Sequence, residues 1–473
     1  MNGAFLDYYR CPESFATFGL SGELSDSNGF FRFGPDTICY GRTCAGNSAK
    51  SVTDALSDVS DQVIENGTTL RLPFSPSEVV SNLRYERYVS SSNGSGKHLT
   101  GAPVIRKAYY KVRPMLSLSV RKHFQRICLS DWEQIAFPHW PVDLSVELMF
   151  EKLLALLLKF HGVDQIPFIW FWPDGFSSCA IMTHDVEALP GWQFCSTLMD
   201  LDEAHGIKGS FQLVPEGQYP VSADFLNSIR DRGFEINVHD LNHDGLLFTD
   251  RDLFLQRAER INLYGREFGA LGFRSAVLYR NPDWLEALDF SYDMSVPNVG
   301  HLEGQRGGCC SVMPFFVGNI LELPLTTIQD YSLFHILRQH SIDLWVRQIT
   351  LILDRHGLAS FIFHPDYLRE SRAQETYKTL LAYLAGLRSE GKVWMALPRE
   401  VNQWWRQRSQ MRLVRRGNAW EIEGTGKERA RIAYAKLEGN RVVYHLEARC
   451  VTAADGSGLA GKQSNWPHPV NCQ

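Results

Sequence analysis

The chain has 473 residues, too many for one ordinary core and enough for two or three domains. Hydrophobic residues make up 44% and charged residues 21%, a composition ordinary for a soluble globular protein. The formal charge is −5, from 48 basic and 53 acidic side chains, which excludes a global electrostatic case for a nucleic-acid partner.

The opening "MNGAFLDYYRCPESF" lacks the basic end and apolar stretch of a signal peptide, so the expected compartment is the cytoplasm. The first 165 residues form an accessory region of irregular pattern. Within it, "GFFRFGPDTICYGR" predicts two short strands around a Gly34-Pro35-Asp36 turn. "SSSNGSGKH" has the composition of a flexible linker. From Arg106 to Arg126 there are seven Lys or Arg and no acid. That run is either a contact for an anionic surface or a solvated connector. "LSVELMFEKLLALLLKFHG" is interrupted by Glu147, Glu151, Lys152 and Lys159, so it reads as a buried amphipathic helix and not a membrane span. Ten cysteines are scattered without regular spacing, which argues against a disulfide framework. The adjacent Cys309 and Cys310 read as buried thiols. The aromatics of "FIWFWPDGF" are core groups or a stacking platform for sugar rings.

From residue 177 strand and helix candidates alternate. The strands are "CAIMTHD", "KGSFQLV", "FEINVH", "LGFRSA", "FSYDMS", "NILELPL", "ASFIFH" and "VWMAL". Between them lie helices over "WQFCSTLMDLDEAH", "SADFLNSIRDRG", a stretch starting near Thr249, the short "NPDWLEAL" and "SIDLWVRQITLILDRHG". This predicts an α/β fold: a distorted (β/α) barrel of about seven parallel strands over 166–408. Residues 409–450 alternate and turn at glycines, which predicts a small β appendage, and 451–473 form a tail expected to be disordered.

Chemistry in such barrels collects where strands run out into loops at their C-terminal ends. In "THDVE" strand alternation puts Thr183, Asp185 and Glu187 on one face and His184 on the other. Two carboxylates side by side need a cation, a shared proton or open water. His239 and His243, four apart in "HDLNHDG", would face one point from one helical turn. Two histidines and one carboxylate make a zinc set that leaves room for water. Arg274 ends "GFR", Asp293 lies in "FSYDMS" and His364 ends "FIFH".

In order and spacing, "THDVE", "HDLNH", "GFRS", "FSYDMS" and "FIFHPD" resemble the polysaccharide deacetylase (NodB-homology) carbohydrate esterases over about residues 177–400. The resemblance implies Asp185 as base, Glu187, His239 and His243 on a divalent metal, Arg274 orienting the base, and His364 as general acid. Asp293 or Asp330 would pair with His364. Val186 stands where the common motif has a second aspartate, so Glu187 is expected to replace it. The usual proline soon after the motif-three arginine is missing, and Arg280 with Pro282 offers a later Arg-x-Pro. The implied activity is metal-dependent, zinc being the expected ion, and removes N-acetyl groups from amino sugars of a glycan or glycan precursor. The rival readings are a non-catalytic sugar-binding barrel and a hydrolase of non-sugar amides.

Overall fold

A computed structural model of the chain describes residues 1–89, 123 and 125–447. Most of the basic run 106–126, and the whole tail 451–473, lie outside the described residues. Among the described residues no helix is long and apolar enough to cross a membrane.

The chain opens with β1 (Phe18–Leu20), β2 (Gly29–Arg32), β3 (Ile38–Gly41), β4 (Ile64–Asn66) and β5 (Thr69–Leu72). β2 and β3 form the expected antiparallel hairpin, and Gly34 at φ +80° makes the turn that a residue with a Cβ resists. β5 pairs parallel with β1 and antiparallel with β4. The helix Ser145–His161 follows. Its Val146, Met149, Phe150, Leu153, Leu154, Leu157 and Leu158 recur at three- and four-residue spacing, form one stripe, and are all buried. Gly162, in left-handed backbone at φ +59°, ends it.

β6 (Gln165–Ile169) leads into the barrel strands. These are β7 (Ser178–Val186), β8 (Gly209–Leu213), β9 (Glu235–His239), β10 (Gly272–Arg274), β11 (Tyr292–Asp293), β12 (Phe315–Val317), β13 (Ile320–Glu322), β14 (Leu358–Phe363) and β15 (Val393–Ala396). The order β14-β7-β8-β9-β10-β11-β13 is parallel throughout, giving seven strands of a distorted (β/α) barrel. β12 adds an antiparallel edge to β13, and β15 pairs with the first half of β7. Among the described residues no ladder joins β13 to β14. The Thr326 and Thr327 hydroxyls donate to the Leu358 and Ser360 carbonyls at 2.6 and 2.7 Å, and the Thr327 backbone N–H donates to the Ser360 carbonyl at 3.3 Å, so the segment after β13 closes the gap.

Alternation along the strands separates two cores. Ala180, Met182 and Val186 of β7 pack outward under the helices, with Phe211, Val238 and Phe361. Cys179 and Ile181 face inward, with Tyr292, Leu321 and Leu358, and join the buried aromatics of the N-terminal region in one cluster. Phe168, Trp170, Phe171 and Trp172 are buried in that cluster, so the aromatic run packs the core. Cys309 and Cys310 are buried free thiols.

The C-terminal strands are β16 (Arg412–Arg416), β17 (Ala419–Glu423), β18 (Ile432–Glu438) and β19 (Arg441–Leu446). They form two hairpins, and β18 also pairs with β6. Arg408, buried on the helix Pro398–Gln410, ties the parts together by donating to the carbonyls of Tyr8, Ile169 and Trp170 at 2.8, 2.7 and 2.9 Å.

Glu147 lies on the buried stripe of its helix. Its Oε1 accepts from Ser311 Oγ at 2.7 Å and Val312 N at 3.2 Å, while Oε2 has no partner. Burial pushes its carboxyl up to about 7. A folded pKa above the unfolded value stabilises the fold fully below 4.5, and the contribution is lost as pH rises through about 7. Glu147→Gln is therefore expected to lose less melting temperature than the parent between about pH 5 and pH 8, by about 2–4 °C. Parallel pH curves for the two proteins would refute this.

Candidate active site

The inward face of β7 carries Thr183 and Asp185, with Glu187 just beyond the strand end. The Asp185 carboxylate accepts from Arg274 Nη1 at 2.7 Å, and Thr183 Oγ1 accepts from the same nitrogen at 2.7 Å. Thr183 in turn donates to the Phe361 carbonyl at 2.5 Å, and Arg274 Nε donates to the Met294 carbonyl at 3.0 Å. Arg274 is fully buried, so its charge is balanced inside the protein. Arg280 is engaged elsewhere: it forms a buried ion pair with Glu86 and donates to the Leu278 carbonyl at 2.8 Å. His184 faces outward, as alternation requires, and lies 2.8 Å from Asp202 Oδ2.

His239 and His243 do not share a helical turn. His239 ends β9, and the residues after it form an irregular loop. Asp240 and His243 both take left-handed backbone there, at φ +56° and +55°. The chain reverses in the loop, so the two rings still meet, with centroids 4.9 Å apart. His239 Nδ1 donates to the Arg274 carbonyl at 3.1 Å, which leaves the Nε2 lone pair facing the site.

Glu187 Oε1 lies 2.8 Å from His243 Nε2 and 3.7 Å from His239 Nε2, and Asp185 Oδ2 is 3.8 Å from His239 Nε2. Ligand atoms of Glu187, His239 and His243 all fall within 4.8 Å of one another. Both imidazole Nε2 atoms are buried and face the Glu187 carboxylate, yet neither makes a well-aligned hydrogen bond. Buried polar atoms rarely go unpaired, and two converging imidazole nitrogens beside a carboxylate suit a divalent cation. The donor set therefore fits a metal.

His364 follows β14 on the other side of Glu187, with Nε2 3.4 Å from Glu187 Oε1. Of the two acids left open by the sequence, Asp330 is the partner. Its Oδ1 lies 2.7 Å from His364 Nδ1, and its Oδ2 accepts from the His364 backbone N–H at 2.7 Å. Asp293 sits elsewhere. Register pairs it with Phe273, whose side chain packs in the outer core, so Asp293 faces away from the lumen. There it accepts from Ser295 Oγ at 2.7 Å.

Charge follows the geometry. Burial pushes the Asp185 carboxyl up, but Arg274 and then His239 and His364 outweigh it and hold it below its ordinary range. Burial acts likewise on Glu187, where His243 and His364 bring the carboxyl well below its usual value. For His364 burial opposes the charge, yet Asp330 and Glu187 carry the imidazole well above its ordinary range.

Three supporting residues escaped the reading of the sequence. Asp240 is buried; it accepts from Leu241 N at 2.6 Å and Ala276 N at 3.3 Å, and so braces the loop of His243. Tyr219 donates to the Val186 carbonyl at 2.6 Å and fixes the end of β7. The Tyr367 ring lies 4.9 Å from that of His364. Only Tyr367 had a sequence signal, its place three residues after His364.

No family model matches the sequence, and no curated protein matches it. Among solved structures the chain is similar to one described as a polysaccharide deacetylase from Mycobacterium smegmatis, at 19% identity and TM-score 0.41, covering 50% of this chain and 93% of that one. It is similar to Puue allantoinase at 12% identity and TM-score 0.40, covering 50% and 92%. It is also similar to the Bc1960 peptidoglycan N-acetylglucosamine deacetylase at 13% identity and TM-score 0.33, covering 49% and 90%.

Zinc added to the purified chain is expected to bind at one site, and His239→Ala or His243→Ala to weaken it by about 100-fold or more. Calorimetric titration measures this; unchanged affinity in both variants would remove the site.

Proposed function

We propose that the chain is a metal-dependent hydrolase that cleaves the C–N bond of N-acetyl groups on amino sugars of a glycan or glycan precursor. One observation carries the reading. A cation-binding trio lies between an Arg-held carboxylate and an Asp-held imidazole, with His364 Nε2 and His243 Nε2 at 3.4 and 2.8 Å from the same Glu187 oxygen. The choice of an amino sugar rests on the resemblance of the motifs; the geometry supports amide hydrolysis.

Glu187, His239 and His243 would hold the ion, and zinc suits two imidazoles and one carboxylate. When bound, such an ion supplies Lewis acidity and lowers the pKa of water. Asp185 takes the proton of the attacking water as the water oxygen bonds to the acetyl carbonyl carbon. Arg274 keeps Asp185 ionised and aimed through the 2.7 Å bond. His364 stands opposite. Asp330 holds its Nδ1, so Nε2 is the nitrogen that delivers a proton to the leaving amine as the C–N bond breaks. Acetate and a free amine are the products. Base and acid come from different strands, which lets them attack and protonate from opposite sides of the scissile bond.

The test is acetate release from chito-oligosaccharides by the zinc-loaded protein. Asp185→Asn and His364→Ala are each expected to lower kcat by about 10²–10⁴-fold while zinc still binds. Zinc uptake with no acetate from any N-acetyl sugar would overturn the proposal. Release of amines from non-sugar amides would then keep the chemistry and change the substrate, and no hydrolysis at all would leave a sugar-binding barrel.

A further inference from the structure

The two imidazoles of the trio are supported unequally. His239 ends a strand, and its Nδ1 is fixed by the Arg274 carbonyl at 3.1 Å. His243 lies in an irregular loop in left-handed backbone. Beyond its approach to Glu187, the described residues offer its ring no hydrogen-bond partner. Something else must hold this loop at its far end, because loop freedom would dilute the geometry in which both imidazoles meet.

The next residue supplies the anchor. Asp244 receives two parallel hydrogen bonds from Arg257, from Nη1 to Oδ1 and from Nη2 to Oδ2, both at 2.7 Å. Its Oδ1 also accepts from Leu246 N at 2.9 Å, which ties the carboxylate to its own loop. Arg257 stands on the helix Arg251–Glu267, whose Phe254, Ala258 and Ile261 are buried against the barrel. Asp250 caps that helix by accepting from Asp252 N and Leu253 N at 3.1 Å. The guanidinium is therefore mounted on a rigid element, and its planar fork matches the carboxylate in two places.

We infer that Asp244 and Arg257 form a positioning clamp that sets the cation affinity of the site by holding His243 in place. The inference rests on the metal-dependent reading above. Neither residue touches the reacting atoms; they act through the loop. The pair is a charge-assisted fork between a loop and a helix, so its loss frees one ligand and leaves the other two in position.

The experiment is zinc affinity by chelator competition on the full chain, for the parent, Arg257→Ala, Asp244→Asn, the double variant and Arg257→Lys. Arg257→Ala and Asp244→Asn are each expected to weaken zinc by about 10–100-fold, the range for loss of an outer-sphere partner. The double variant should bind no worse than either single one, because both remove the same contact. Arg257→Lys keeps the charge but not the fork and should recover only part of the loss. The melting temperature of the metal-free protein should stay within a few degrees of the parent, since the pair is partly exposed. Parent-like affinity in both single variants would overturn the clamp, as would additive losses in the double. Should Arg257→Ala fail to fold, Asp244→Asn and Arg257→Lys still decide the matter. His239→Ala and His243→Ala separate the two levels. If they too bind zinc like the parent, the metal reading fails and the clamp falls with it; if they alone lose zinc, only the clamp is refuted.

Discussion

The site depends first on the buried contact between Arg274 and Asp185. A guanidinium with no exposed surface must be matched inside the protein, and removing one partner of such a pair costs about 3–5 kcal/mol. Arg274 meets that need with Asp185, Thr183 and the Met294 carbonyl, which join β7, β10 and the end of β11. The same residue works from its backbone, since its carbonyl accepts from both His239 Nδ1 and the Asp240 N–H. One position therefore aims the carboxylate, sets the tautomer of one imidazole and pins the start of the loop bearing the other.

The barrel is built to permit this. Its inner face changes along the strand direction, from Cys179, Ile181 and Leu358 to Thr183, Asp185 and His364. The apolar end is sealed by the aromatics of the N-terminal region. Charge therefore gathers at the end where strands give way to loops, with low-dielectric packing beneath it. The missing ladder between β13 and β14 belongs to the same design. Thr326 and Thr327 close that gap through their hydroxyls and one backbone N–H, and the segment they hold runs directly on to Asp330, the partner of His364.

Much of this was legible in the order of residues. Period-two alternation is a local property of an extended chain, so "THDVE" already separated Asp185 and Glu187 from His184. The run of strands, the helix Ser145–His161 and the Gly34 hairpin follow from equally local patterns. The loop after His239 was not legible. Four-residue spacing on a helix and a reversal through two left-handed residues bring imidazoles together equally well, and the sequence favours neither. The bracing role of Asp240 was equally hidden, because nothing local reveals that Ala276 will present its N–H to it.

By itself, then, the sequence determined which side chains share a strand face and that imidazoles and carboxylates lie at strand ends, because both follow from backbone geometry within a few residues. Only the tertiary structure decided which acid serves His364, that Arg274 and not Arg280 reaches Asp185, and that Arg257 braces the loop of His243. Each of these is a contact between segments far apart in the chain, and it exists only once barrel closure and strand register have fixed which groups face the lumen and which face away.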